Sequence, residues 1–442
     1  MLDLYNHLSL QALKPTDLKR SQLIFTIFLI LSIFISDKNV LYSQDLVPDK
    51  PYIKSIILQP RSVNNYTPFI ALGETMFLSF DDLNGNEEYY TYEVVHCDMD
   101  WIPSRILTSE YLRGYKEDRI RNFENSFNTL QSYTNYKLEI PNRNTELKIS
   151  GNYIISVKNE SKEIVFQRKF VVYEPKVQVG VAVYRSRDLK EIQTKQTVQF
   201  TINHPNFRIN NPKAELFPVL MQNNNWQTAI YNLKPQFYRS SQILYKYNKE
   251  TSFNGGNEFL YFDTKAIRST SLNIARVFLG DHLYHTQLYT HLGRNDRPYT
   301  LLEDINGNFV IRTIDGEGSN VFTEADYSWV HFSLDPNVYS ELKNKDIYVQ
   351  GAFNNWELDE ENKMTYNPES GLYQTEILLK QGFYNYQFVT MDISGEVRND
   401  EIDGSHWQTE NDYTVIVYYK RIGGRYTEVI GLGKGNSMKI NN

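Results

Sequence analysis

The sequence predicts an all-β protein made of tandem β-sandwich domains. Three observations carry that expectation. Among 442 residues, 33 are Tyr and 24 are Phe, types whose flat rings pack on a pleated surface. Short apolar segments alternate with polar residues and stop at Gly, Asn, Asp or Pro, as half-buried strands do. No long amphipathic helix, coiled-coil repeat or low-complexity tract interrupts them. At roughly one domain per 100–200 residues, the length holds about two to four domains.

The chain opens on an export signal, expected over residues 1–44. Lys14, Lys19 and Arg20 precede an apolar run, Leu23 to Ile35, that Asp37 and Lys38 close, with a small residue near a cleavage point at Ser43 or Gln44. The run is short for a membrane span, and no Cys follows it to carry a lipid. The single thiol, Cys97, cannot pair internally, so burial alone must hold the domains together.

The first domain is expected over 45–175. In "YYTYEVVHCDMDW", Val95, Cys97, Met99 and Trp101 alternate with His96, Asp98 and Asp100. That pattern predicts a strand with one apolar and one polar face. Segments 152–159 and 163–175 read as a hairpin, and "EDRIRNFENSFNTL" as an irregular insertion. Pro175 ends the ladder, having no N–H to give. A second domain, 176–326, holds "VQVGVAVYR", "TVQFTIN" and "NEFLYFD", with tight turns at "FNGGN" and "DINGN". A third, 327–442, holds "SWVHFSLD", "DIYVQGAF", "GLYQTEILL", "GFYNYQFV" and "DYTVIVYYKR". Strands at this spacing, without long helices between them, form immunoglobulin-like sandwiches.

A net charge of −7 argues against non-specific nucleic-acid binding, which needs clustered cations. No nucleophile elbow, zinc-protease helix, phosphate loop or dinucleotide fingerprint is present, so no enzyme activity and no cofactor are expected. Cys97, on an apolar face, reads as an inert thiol. His96, Asp98 and Asp100 read as the polar face of their strand rather than metal ligands. "DDLNGNEE", 81–88, reads as a solvated hairpin turn, because Gly85 is misplaced for a calcium loop. His282, His285 and His291 are spaced too loosely for a metal site and read as part of a Tyr-rich surface. "GAFNNW", ending at Trp356, resembles the run that α-glucan-binding sandwich modules use, so an exported glucan-binding protein is the alternative reading. Such modules stack sugar rings on two aromatic faces beside a cation. Here Gln387 stands where they place Lys and the next loop lacks a second Trp, so the likeness is one of fold.

Longer strings point elsewhere. "SIILQPRSVNNYTPFIALGETMFLSFDDLNGNEEYYTYEVVHCDMDWIPS", "EYLRGYKEDRIRNFENSFNTLQSYTNYKLEIPN", "FVVYEPKVQVGV" and "HWQTENDYTVIVYYKRIGGRYTEVIG" occur in order along the chain. They resemble the plug proteins of the type IX secretion system of Bacteroidetes. The resemblance implies a periplasmic, non-catalytic, all-β protein. It would close the periplasmic opening of a large outer-membrane translocon barrel when no cargo shuttle occupies it. Within that reading the docking candidates are Trp101, Arg105, Tyr111, Arg113, Tyr115 and Arg119, since Trp, Tyr and Arg dominate interface hot spots. A second option is an edge strand flanking Gly351 that pairs with a barrel strand.

Overall fold

Strand alternation builds the first sandwich. The computed structural model describes residues 46–62, 65–314, 320–336, 342 and 344–440; the export signal expected over 1–44 lies outside them. Strands Ile53–Pro60, Met76–Asp82, Thr134–Ile140 and Asn122–Asn125 form one sheet, in that order. The facing sheet runs Phe69–Ala71, Ile164–Tyr173, Gly151–Lys158, Thr91–Cys97, Glu117–Arg119. Its centre is the expected hairpin, Gly151–Lys158 antiparallel to Ile164–Tyr173. Leu78, Phe80, Tyr92, Val94, Tyr136, Ile155 and Phe166 fill the space between the sheets. Phe80 meets the rings of Tyr90, Tyr136 and Phe166 at 5.4, 5.1 and 4.9 Å, so this core is largely aromatic contact.

Strand Thr91–Cys97 departs from the expected one polar face. Tyr92, Val94 and His96 are buried on one side, and Cys97 is buried on the other. His96 packs on Tyr153 at 5.0 Å between ring centroids, with Nδ1 2.8 Å from Ser104 Oγ. Burial lowers this imidazole to about 4. Both sides are covered, the side of Tyr92, Val94 and His96 by the sandwich's own core and the Cys97 side by a third sheet laid over the outer face.

That third sheet has three strands, Leu216–Gln222, Asp412–Tyr419 and Glu428–Asn436. The first two are apolar almost without alternation and buried along nearly their whole length, as strands covered on both faces are. One face packs Val219, Met221, Ile416, Tyr418 and Val429 against Phe69, Cys97, Ile154 and Val171 of the first sandwich. The other packs Leu220, Val415 and Val417 against Val198, Phe200, Ile243 and Tyr245. Those last four belong to a sheet of Gln178–Arg185, Lys195–Asn203, Gln242–Tyr245, Phe237–Arg239 and Ser252–Asn254. Where Gln178–Arg185 crosses Glu428–Asn436, three alternate glycines, 431, 433 and 435, face Val177, Val179 and Val181. A Cβ on Gly433 would fall 2.7 Å from Val179 Cγ1, so the crossing needs bare backbone.

In the remaining sandwich, Leu260–Asp263, Phe309–Ile311, Asp346–Gln350 and Val397–Arg398 all pair with Gly382–Met391. They face a sheet of Ile274–Leu279, Tyr284–Leu288, Tyr327–Leu334, Leu372–Lys380 and Thr365–Asn367 across a core of Phe262, Val330, Phe332, Val349 and Phe388. The division expected at 326 is therefore not the one the sheets follow. This sandwich draws strands from both sides of 326 and interrupts the middle one, which the last two strands of the chain complete.

A buried ion pair ties the first sandwich to the interrupting one. Lys380 Nζ lies 2.6 Å from Asp81 Oδ2, with side-chain exposures of 2% and 0%. Asp81 also accepts hydrogen bonds from Tyr327 Oη at 2.6 Å and Asn135 Nδ2 at 2.7 Å. Lys380 donates to the Phe322 carbonyl at 2.8 Å and lies 4.0 Å from the centre of the Tyr133 ring. Asp82 accepts from Tyr90 Oη at 2.9 Å. The segment 81–88 thus begins with two buried carboxylates rather than a wholly solvated turn.

Candidate partner-binding site

The insertion after Thr91–Cys97 holds all six expected docking residues, and burial sorts them. The chain turns as Asp98 Oδ1 accepts from the backbone N–H of Asp100 at 3.2 Å and of Ile102 at 3.3 Å. Trp101 takes a positive φ of 63° at that turn. Its side chain is directed into the inter-sandwich core, 1% exposed and edge-on to Trp226 at 5.0 Å. A short helical turn, Thr108–Tyr111, follows. Glu110 accepts from the Leu107 N–H at 2.8 Å and is paired with Arg425. Tyr111 is buried in the first core, its hydroxyl donating to Val94 O at 3.4 Å. Trp101 and Tyr111 are therefore corrected from docking candidates to core residues. Their large apolar area is more stabilising when it is taken out of water.

Arg105, Arg113, Tyr115 and Arg119 are exposed. The last three share one end of the first sandwich. Arg113 lies on Leu112–Gly114, which pairs with Thr145–Leu147, and forms an ion pair with Glu146 at 2.9 Å. It lines a cleft of about 610 Å³ with Leu72, Glu74, Asn142, Glu146 and Lys148. Tyr115 is 64% exposed, while its backbone N–H is fixed to Asn144 O at 2.8 Å. Arg119 stacks over Tyr89 at 4.5 Å and lines a second groove of about 310 Å³. Asn142 belongs to both. The second groove gathers Arg61, Arg119, Arg121, Lys137 and Arg143 around Asp118 and Glu139, a cationic excess on an acidic chain. Arg121 grips Asp118 through two N–H groups, each at 2.9 Å. That grip, with help from Asn144, holds the Asp118 carboxyl down at about 2. Tyr89 and Arg121 were missed in the sequence; the run "EEYYTY" around Tyr89 was the available signal.

The "GAFNNW" run is a structural turn. Ala352–Asn354 forms a 3-10 turn, with Asn354 Oδ1 accepting from the Gly351 N–H at 3.0 Å and Asn354 Nδ2 donating to Val349 O at 2.9 Å. A Cβ on Gly351 would fall 2.7 Å from Asn385 O. Trp356 is half-buried, edge-on to Phe259 at 5.9 Å. Its carbonyl accepts from Gln227 and Gln350, and Gln387 donates to Gln350 at 2.9 Å. A stacking platform for sugar is therefore not what Trp356 forms. The edge beside Gly351 is covered as well. Val349 N–H donates to Asn362 O at 2.9 Å and Met364 N–H to Ile347 O at 2.8 Å.

The histidines separate too. His282 is exposed. His291 contacts Asp403 at 2.6 Å, where Arg294 also binds at 3.0 Å. Burial would raise the Asp403 carboxyl, but His291 and Arg294 hold it down at about 2. His285 instead meets His331 and Glu376, from neighbouring strands. Cys97 is buried, and burial pushes its thiol up to about 12.

The model of the first domain of the type 9 secretion system plug protein matches residues 53–174, the sandwich that carries these clefts. A crystal structure of a hypothetical protein from Parabacteroides merdae superposes with a TM-score of 0.84 at 34% identity, covering 88% of this chain and 98% of that one. The chain belongs to the type 9 secretion system plug family. No curated protein matches it. Membership gives the chain a role related to type 9 secretion and an association with that machinery in the cell envelope. The family and the nearly all-β fold fit a non-catalytic protein. No helix among the described residues is long and apolar enough to cross a membrane.

Proposed function

We propose that the chain is a periplasmic plug. It binds the periplasmic opening of the type 9 translocon, a large outer-membrane β-barrel, and closes it when no cargo shuttle occupies the barrel. The family match on the first sandwich carries this reading. A pore wide enough for folded cargo leaks unless one end is covered. Sandwiches joined through a shared apolar layer and a buried ion pair offer a broad surface with little ordering cost on docking. The docking residues in this reading are Arg113, Tyr115 and Arg119, at the end of the first sandwich where the two clefts adjoin. The chain reaches the periplasm through the export signal at 1–44.

The test is single-channel conductance of the purified barrel in a lipid bilayer, with the chain added on the periplasmic side. An open-pore current that falls on addition of the wild-type chain, and persists with Arg113→Glu combined with Arg119→Glu, supports both plug and surface. An unchanged current with folded wild-type chain refutes the plug. Full closure by the double variant moves the contact elsewhere on the molecule.

A further inference from the structure

We infer that His285, His331 and Glu376 form a binding site for a divalent transition-metal ion of the zinc class. Strand register brings them together. His331 lies directly opposite Glu376 in the antiparallel pair of Tyr327–Leu334 with Leu372–Lys380. His285 lies on Tyr284–Leu288, which runs parallel to Tyr327–Leu334 on its other side. Residues two apart on a strand share a face, and the buried Val330 and Phe332 take the inner face, leaving His331 on the outer one. One ligand atom from each of the three lies within 4.8 Å of the other two, and among the described residues no other such group converges. His285 Nδ1 is 2.8 Å from His331 Nε2, while Glu376 lies 3.4 Å from the other ring nitrogen, His331 Nδ1, so the exposed Glu376 side chain must swing to reach an ion held between the two imidazoles. Two nitrogens bound to one tetrahedral zinc at about 2.0–2.1 Å sit roughly 3.3 Å apart, so the rings need part by only about half an ångström. Phe278, paired with His285 across the hairpin, stacks on it at 5.0 Å and fixes the ring plane.

The donor set selects the ion. Two imidazoles and one carboxylate suit zinc and its neighbours, whereas calcium and magnesium take oxygen ligands. Three protein ligands leave a coordination position for water or for a side chain of another protein. Glu376, with its side chain 54% exposed, places the group at the solvent-facing side of the sheet.

The experiment uses the tag-free chain, stripped with chelator and titrated calorimetrically with Zn²⁺, with the visible ligand-field bands of Co²⁺ as a second readout. His285→Gln, His331→Gln and Glu376→Gln are compared with His282→Gln, an exposed neighbour outside the cluster. Circular dichroism and the thermal midpoint confirm that each variant is folded. The expected result is one equivalent of metal, Co²⁺ bands of four- or five-coordinate intensity, and at least tenfold weaker binding in each of the first three variants alone. Absence of saturable binding to the wild-type chain overturns the site. So does any one of those three variants, folded, binding as the wild type does.

Discussion

Replacing Lys380 with Met removes the cation that holds the first sandwich to the interrupting one and keeps most of the side-chain volume. Asp81 is then left fully buried without its charge partner, and the Phe322 carbonyl loses its donor. Neither side chain of the pair reaches water, so solvent does not screen the loss. Removing one partner of a buried pair costs about 3–5 kcal/mol. Tyr327 and Asn135 continue to donate to Asp81, which places the expected cost near the lower end, about 3 kcal/mol. That is roughly a hundredfold in the folding equilibrium. Urea unfolding followed by Trp fluorescence measures it. Asp81→Asn combined with Lys380→Met removes both charges of the pair and is expected to recover at least half of the loss. A Lys380→Met variant within about 1 kcal/mol of wild type, or a double variant as unstable as the sum of the singles, refutes the reasoning.

Acidification tests His96. Its folded imidazole sits at about 4, below the unfolded value of about 6.5. The unfolded chain therefore binds more protons between those limits, and stability from this group, full above about 6.5, falls as pH drops toward 4, by about 3 kcal/mol in all. Urea midpoints measured at several pH values should show a shallower acid loss in His96→Gln than in wild type; equal slopes would exclude His96 as the source. Gly433→Val forces two branched side chains into the crossing with Val179 and is expected to destabilise by about 1–3 kcal/mol, while Lys434→Val on the exposed neighbour stays within about 0.5 kcal/mol. A Gly433→Val variant as stable as wild type would show that the strands can separate without penalty. Cys97 should resist an aromatic disulfide reagent in the native chain and react once in urea, since it is buried and its thiolate disfavoured; prompt native labelling would show that the layer over it opens.

Fold class was legible because each strand carries its own evidence in alternation and turn residues. Connectivity was not, because it lies in pairings across long stretches of chain. Leu216–Gln222 finds Asp412–Tyr419 about two hundred residues later. The sign that these two strands lie between layers was present in their unbroken apolar text, but a run of that kind does not name its partner. Asp81 read as solvated for the same reason, since Lys380 is 299 residues away. For the docking candidates, residue type suggested surface positions, and Arg105, Arg113, Tyr115 and Arg119 are exposed. It failed for Trp101 and Tyr111, whose types are as common in cores as in interfaces. The same limit hid the His285–His331–Glu376 group. The loose spacing of His282, His285 and His291 along "GDHLYHTQLYTH" points away from a metal site, and only strand register brings His285 beside His331 and Glu376.

The placement of the last two strands has a consequence for how the chain is made. Synthesis delivers the N-terminus first, and domains fold as units when their strands are available. The first sandwich can close once residue 173 has emerged, and the interrupting sandwich once residue 398 has. The middle sandwich must wait for Asp412–Tyr419 and Glu428–Asn436, the apolar Leu216–Gln222 holding until then only a bridge from Leu220 to Ile230. Contacts of such long sequence separation form slowly. The completed tail thus acts as a proof of length. A chain cut short before residue 412 loses the layer on which its first and middle parts meet, and leaves an open, sticky edge for envelope proteases to recognise.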